Sequence, residues 1–215
     1  MRVLLITWKS SAVLAFAGVA IGMASLLVQG PLPGDVFLTR TVQAVMGNEP
    51  SWADLLTKTA KNPLLWLNLA IGIGMAWGRS GWRGAVAIPV VLICAQLIDK
   101  VLGGLISVLR PTPDLVSVAS ASTSSGFPSS FALVYGAIFG AILFAPARKG
   151  LVPAGLAALS LVLLVAGVSA RVVLGGHWMS LMIASLLLVL SPAILILRVI
   201  QEWSLPSIEQ SESGG

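Results

Sequence analysis

The chain has 215 residues, of which 57% are hydrophobic and only 10% charged. Its mean hydropathy of +0.96 lies far outside the range of soluble domains. Segments long enough to cross a bilayer recur along it, which leaves no length for a separate soluble domain. A net charge of +5 would suggest nucleic acid in a soluble protein, but the cations here sit mostly at the ends of apolar runs. That distribution is membrane topology and excludes a nucleic-acid partner.

The first apolar run, 10–28, follows Arg2 and Lys9. It is longer than the apolar core of a signal peptide and has no clear cleavage site, so it reads as a retained first transmembrane helix. Residues 30–63 are mixed. Pro31, Pro33 and Gly34 open a turn, Asp35 is placed to cap a short helix, and Ser51-Trp52-Ala53-Asp54 has the spacing of a capping box. Apolar residues recur there at helical spacing, which fits short amphipathic helices on the outer membrane surface or an ordinary packed connector.

Further spans are expected at about 64–78, 85–102, 129–145, 151–169 and 178–198, with Pro89 and Pro192 inside the third and sixth. The expected fold is therefore an all-α bundle of six transmembrane helices forming a single domain over 1–200, with a polar tail at 201–215. Ala132, Gly136 and Gly140 put small residues on one stripe of the fourth span, the pattern that lets helices approach closely in lipid; packing within the chain is the expected use. The lone cysteine, Cys94, has no partner for an internal disulfide.

With the amino terminus in the cytoplasm, Arg2, Lys9, Arg79, Arg83, Arg148, Lys149 and Arg198 all fall inside. Once Lys100, Arg110 and Arg171 are set aside, only Arg40, Lys58 and Lys61 remain outside, so the positive-inside rule is obeyed. Both termini are then cytoplasmic, and a bacterial inner or plasma membrane suits this arrangement.

Three polar islands interrupt the apolar sequence: Asp99-Lys100 with Arg110-Pro111, then Gly126 to Phe131, then Ser169 to Leu181 with Arg171 and His177, the only histidine. In the six-span arrangement all three meet on the outer face. Taken singly, Lys100 pairs with Asp99 or snorkels to the interface, and Arg171 with His177 is a span-end cation beside a packed histidine. Taken together they make one composite site for an anion. Arginine holds two phosphate oxygens at once, and Pro128-Ser129-Ser130 ahead of a span presents main-chain N–H groups.

Lys…Arg-Pro, Pro-Ser and Arg-x5-His in this order resemble the type 2 phosphatidic acid phosphatase (PAP2) family of membrane lipid phosphatases, over roughly residues 60–195. The resemblance implies His177 as the nucleophile, with Lys100, Arg110, Ser129, Ser130 and Arg171 around the phosphate. It implies metal-independent hydrolysis of a phosphorylated or pyrophosphorylated lipid, with no cofactor. No metal-ligand cluster stands out in the sequence, and oligomeric state is not legible in it.

The chain departs from the family at defined positions. The histidine that acts as general acid is replaced by Phe131, and the aspartate that orients the nucleophile by Leu181, with Ser180 the nearest polar residue. Lys100 stands ten residues before Arg110, whereas the family register falls on Gly103; if Thr112-Pro113 fills the Arg-Pro register, Leu105 stands for the lysine. Losing a general acid costs on the order of 10²–10⁴-fold in rate. A pyrophosphate, whose leaving group is itself a phosphate, tolerates that loss best. Two expectations follow: an altered lipid phosphatase, or an inactive relative that binds or helps transport anionic headgroups.

Overall fold

A computed structural model describes residues 7–202. The element order is α1 (Trp8–Val28), α2 (Asp35–Met46), α3 (Ser51–Lys58), α4 (Leu64–Ser80), α5 (Trp82–Leu105), α6 (Ser130–Tyr135), a π-helical turn (Gly136–Gly140), α7 (Ala141–Phe144), α8 (Leu151–Val173) and α9 (Met179–Glu202). All regular structure among the described residues is helical. Four helices, α1, α5, α8 and α9, are long and apolar enough to cross a membrane, which marks the chain as an integral membrane protein. The other two expected spans are shorter: α4 has 17 residues, and Ser130–Phe144 falls below the crossing length. Of the expected tail, Gln201 and Glu202 belong to α9, and 203–215 lie outside the described residues.

Protein surrounds most of the segment Ser130–Phe144. Every residue from Phe131 to Ile142 is buried, and the segment packs against α4, α5, α8 and α9; an all-round apolar helix finds its place in a core. Phe131 stacks on Tyr135 at 4.2 Å, and Tyr135 meets Phe139 edge-on at 5.2 Å. Gly136 and Gly140 lie against Val189 and Leu190 of α9, so the small-residue stripe serves packing within the chain. The π-helical turn occupies this same stretch.

α1 turns its small residues inward. Ser11, Gly18, Gly22 and Ser25 are its buried positions, while Phe16 and Leu27 face outward. Ser11 Oγ lies 2.9 Å from Ser191 Oγ and 3.0 Å from the Ser191 carbonyl oxygen. A Cβ on Gly18 would come within 2.9 Å of the Ala184 carbonyl oxygen, so only glycine permits this approach to α9. Side-chain hydroxyls paired across helices suit an apolar surround, where an unpaired polar group is costly.

The 30–63 connector forms two short helices, α2 and α3, that pack against α8. α2 buries Asp35, Thr39 and Gln43, one helical turn apart, and exposes Phe37, Leu38 and Val45. Its polar stripe is the packed one and its apolar stripe faces away, the reverse of a soluble surface helix. The expected capping box does not form: Pro50 is the N-cap of α3, without a side-chain cap, and Asp54 pairs instead with Lys58 at 2.6 Å.

A loop without helix, 106–129, crosses the end of the bundle and is tied down along its length. Gln43 Nε2 donates to the carbonyls of Ser117 and Val173 (2.8 and 2.9 Å), and Arg40 Nε donates to Leu115 (2.8 Å). The Ala119 N–H donates to the Leu174 carbonyl and the Gly126 N–H to the Val108 carbonyl. These bonds bring the loop over the last turn of α8, where the polar islands meet.

Candidate functional site

α8 runs four residues beyond the expected end of its span and carries Arg171 in its last turn. The chain turns through Gly175, whose φ of 62° suits glycine, and delivers His177 just ahead of α9. Asp35 fixes this junction. Its Oδ1 accepts from the Ser180 N–H (2.9 Å), and its Oδ2 accepts from Ser180 Oγ (2.6 Å) and from the Leu32 N–H (2.9 Å). A buried carboxylate thus accepts from one main-chain N–H in the first turn of α9. Ser180, the polar residue nearest the family's aspartate position, turns to Asp35 rather than to the imidazole.

His177 is buried, and its Nδ1 lies 2.8 Å from the Gly126 carbonyl oxygen. A carbonyl only accepts, so the proton sits on Nδ1 and the lone pair on Nε2. No carboxylate bonds the ring among the described residues. Asp99 instead accepts from Ser130 Oγ (2.9 Å), and Asp54 holds Lys58. Burial above all, then the charges of Arg171 and Arg110, push the imidazole well below its ordinary 6.5, outweighing the Gly126 carbonyl, which raises it. The neutral, nucleophilic form is therefore the stable one at neutral pH.

His177, Arg171, Arg110, Ser130 and Phe131 line one cavity of about 700 Å3, a size that suits a small ligand or headgroup. Arg110 is tightly held: Nε donates to Ser124 (2.8 Å) and Ser125 (3.2 Å), Nη1 to the Gly176 carbonyl (3.0 Å), and Nη2 to Ser124 Oγ (2.7 Å). It supplies charge and pins the loop. Arg171 is packed over the Phe131 ring at 6.0 Å and against Gly176; its Nε is buried with no hydrogen-bond partner among the described residues, a donor available to an anion. The far wall comes from the α2–α3 side and carries Glu49, Asp54, Thr57 and Lys61.

Two residues expected at the phosphate are placed elsewhere. Ser129 is fully buried; its Oγ caps α6 by accepting from the Ala132 N–H, and its own N–H donates to Ser185 Oγ. Lys100 is exposed and does not line the cavity. Residues that sequence reasoning missed are Gly126, which acts through its carbonyl; Phe127, wedged onto Gly22 of α1; and the junction role of Asp35. No group of three or more histidine, cysteine, aspartate or glutamate side chains able to hold a metal occurs among the described residues.

What fold and site define is an all-helical integral membrane protein with a cationic cavity at one end and a neutral histidine in its wall. Compared with known protein families, curated proteins and solved structures, the chain gives no significant match.

Proposed function

We propose that this protein is a PAP2-like lipid phosphatase or pyrophosphatase that hydrolyses a phosphorylated membrane lipid through His177. The observation that carries the reading is a buried neutral imidazole, pinned at Nδ1 by Gly126, in one cavity with Arg110 and Arg171. Nε2 attacks phosphorus, the N–P bond forms as the bond to the leaving oxygen breaks, and water then cleaves the phosphohistidine to give inorganic phosphate. The two arginines stabilise charge on the equatorial oxygens. The Gly126 carbonyl orients the ring, as the missing aspartate would, but lends it no negative charge.

Phe131 fills the general-acid position with an apolar ring, so the favoured substrate is one whose leaving group needs no proton. A polyprenyl pyrophosphate, which expels a phosphate monoester, meets that condition. On this reading α4 and Ser130–Phe144 complete six crossings, both termini are cytoplasmic, and the cavity opens at the outer face of a bacterial inner membrane. Lys9, Arg79, Arg83, Arg148, Lys149 and Arg198 at the opposite end support that orientation.

One observation favours a second reading, headgroup binding or transport without turnover: no carboxylate bonds His177 among the described residues. Phosphate release by the purified protein from phosphatidic acid and from undecaprenyl pyrophosphate, compared with His177→Ala, separates the two. Release from the pyrophosphate that is lost in the variant supports the enzyme. Absence of release from either lipid, with Arg171-dependent lipid binding retained, establishes the binding protein.

A further inference from the structure

A second cavity, of about 720 Å3, lies at the other end of the bundle, between the start of α1, the α4–α5 turn and the end of α9. Along α9, Arg198 in its wall is about 28 Å from Met179 beside the His177 cavity, at roughly 1.5 Å of rise per residue. That is close to the thickness of a bilayer's hydrocarbon core. The two cavities are therefore separated along α9 by about one hydrocarbon thickness.

Cations and polar donors line the second cavity. Arg83 and Arg198 line it with Thr7, Ser80 and Gln201, against a single carboxylate, Glu202. Glu202 accepts from Arg198 Nε at 2.6 Å, and no hydrogen bond from the outer nitrogens of that guanidinium occurs among the described residues. Gln201 Nε2 is a buried donor that is likewise unpartnered there. Arg198 lies 5.5 Å over the Trp8 ring and Arg83 lies 5.7 Å over the Trp82 ring, and both indoles are half exposed. Tryptophans so placed sit at the headgroup level of a membrane, which sets the cavity at the depth of a lipid phosphate. Nearby Arg79 and Arg148, linked by the Arg148 N–H to the Arg79 carbonyl, add to the positive potential.

We propose that this cavity is a second headgroup site, which takes the phosphate of an anionic lipid from the leaflet opposite the His177 cavity. Arg198 and Arg83 bind the phosphate oxygens, Gln201 donates its amide to one of them, and Trp8 and Trp82 flank the acyl chains. The site stands independently of any turnover at His177.

The test is native mass spectrometry of the full chain carrying Arg171→Gln and His177→Ala, which disables the first cavity, released from micelles with phosphatidylglycerol or phosphatidylcholine. One retained phosphatidylglycerol is expected, falling at least tenfold in Arg83→Gln/Arg198→Gln and in Gln201→Leu, and unchanged in Lys9→Gln/Lys149→Gln. Thermal unfolding without lipid verifies that each variant is folded, and Gln201→Leu keeps both arginines in place. Equal retention of phosphatidylcholine, or equal loss in the lysine variant, overturns the proposal. So does retention that appears only after deletion of 203–215, or displacement of the lipid by millimolar inorganic phosphate that itself stabilises the fold equally well.

Discussion

His177 depends on a contact that begins on a different helix. Gly22 of α1 faces Phe127, and a Cβ built on it would lie 2.6 Å from the ring's Cε1 and Cζ. Carbon atoms rest at about 3.5–4.0 Å, so Gly22→Ala requires roughly 1 Å of movement. α1 is held against α9 by the close approach of Gly18 to Ala184 and by the Ser11–Ser191 bond, so Phe127 is the part that gives. Its neighbour Gly126 carries the carbonyl 2.8 Å from His177 Nδ1, and a shift of even ~0.7 Å takes that bond beyond useful length.

We predict a loss of about 1–3 kcal/mol in stability from overpacking, seen as a lower thermal midpoint. Misplacing a reacting group by about 1 Å costs on the order of 10²-fold in rate, read as phosphate release from the pyrophosphate. Phe127→Leu alone loses less, and in the Gly22→Ala background it restores part of both losses, because the smaller side chain accepts the methyl. A Gly22→Ala protein with unchanged melting and unchanged release would refute this coupling.

Three further outcomes are expected. The acidic limb of phosphate release at low substrate lies well below pH 6.5, since the folded imidazole is depressed from that value; Arg171→Gln raises it toward 6.5 without abolishing the depression, because burial, the largest cause, remains. The same sign governs stability: below about 6.5 the unfolded chain binds the proton more readily, so stability present above that pH is lost as pH falls toward the folded value, measured by thermal midpoints across a pH series. Asp35→Ala leaves the Ser180 N–H and the Leu32 N–H without their acceptor and costs roughly 1.5–3 kcal/mol, with a matching fall in the midpoint. Lys100→Ala, at an exposed site outside the cavity, changes stability by less than about 0.5 kcal/mol and leaves release within twofold; a tenfold loss would place Lys100 at the phosphate after all.

Long apolar runs, rare charges and their bias to one side were enough to predict helices and a membrane, because the bilayer imposes length and composition directly on the chain. The ends of the runs were legible to within a few residues for the same reason. Arg110, Ser130, Arg171 and His177 were legible as site candidates because polar groups are costly in such a chain and so stand out in it. What sequence order did not reveal is who bonds whom. Ser129 looked like a ligand and is a buried cap, Ser180, the polar residue nearest the family's aspartate position, serves Asp35, and the His177 ring is oriented by a main-chain carbonyl, which every residue possesses and no side-chain pattern announces. The inward polar stripe of α2 and the wedge of Phe127 on Gly22 arise from segments far apart in the chain. Composition and periodicity determined what this protein is made of; the contacts between distant segments, fixed only when the helices pack, decided where its histidine points.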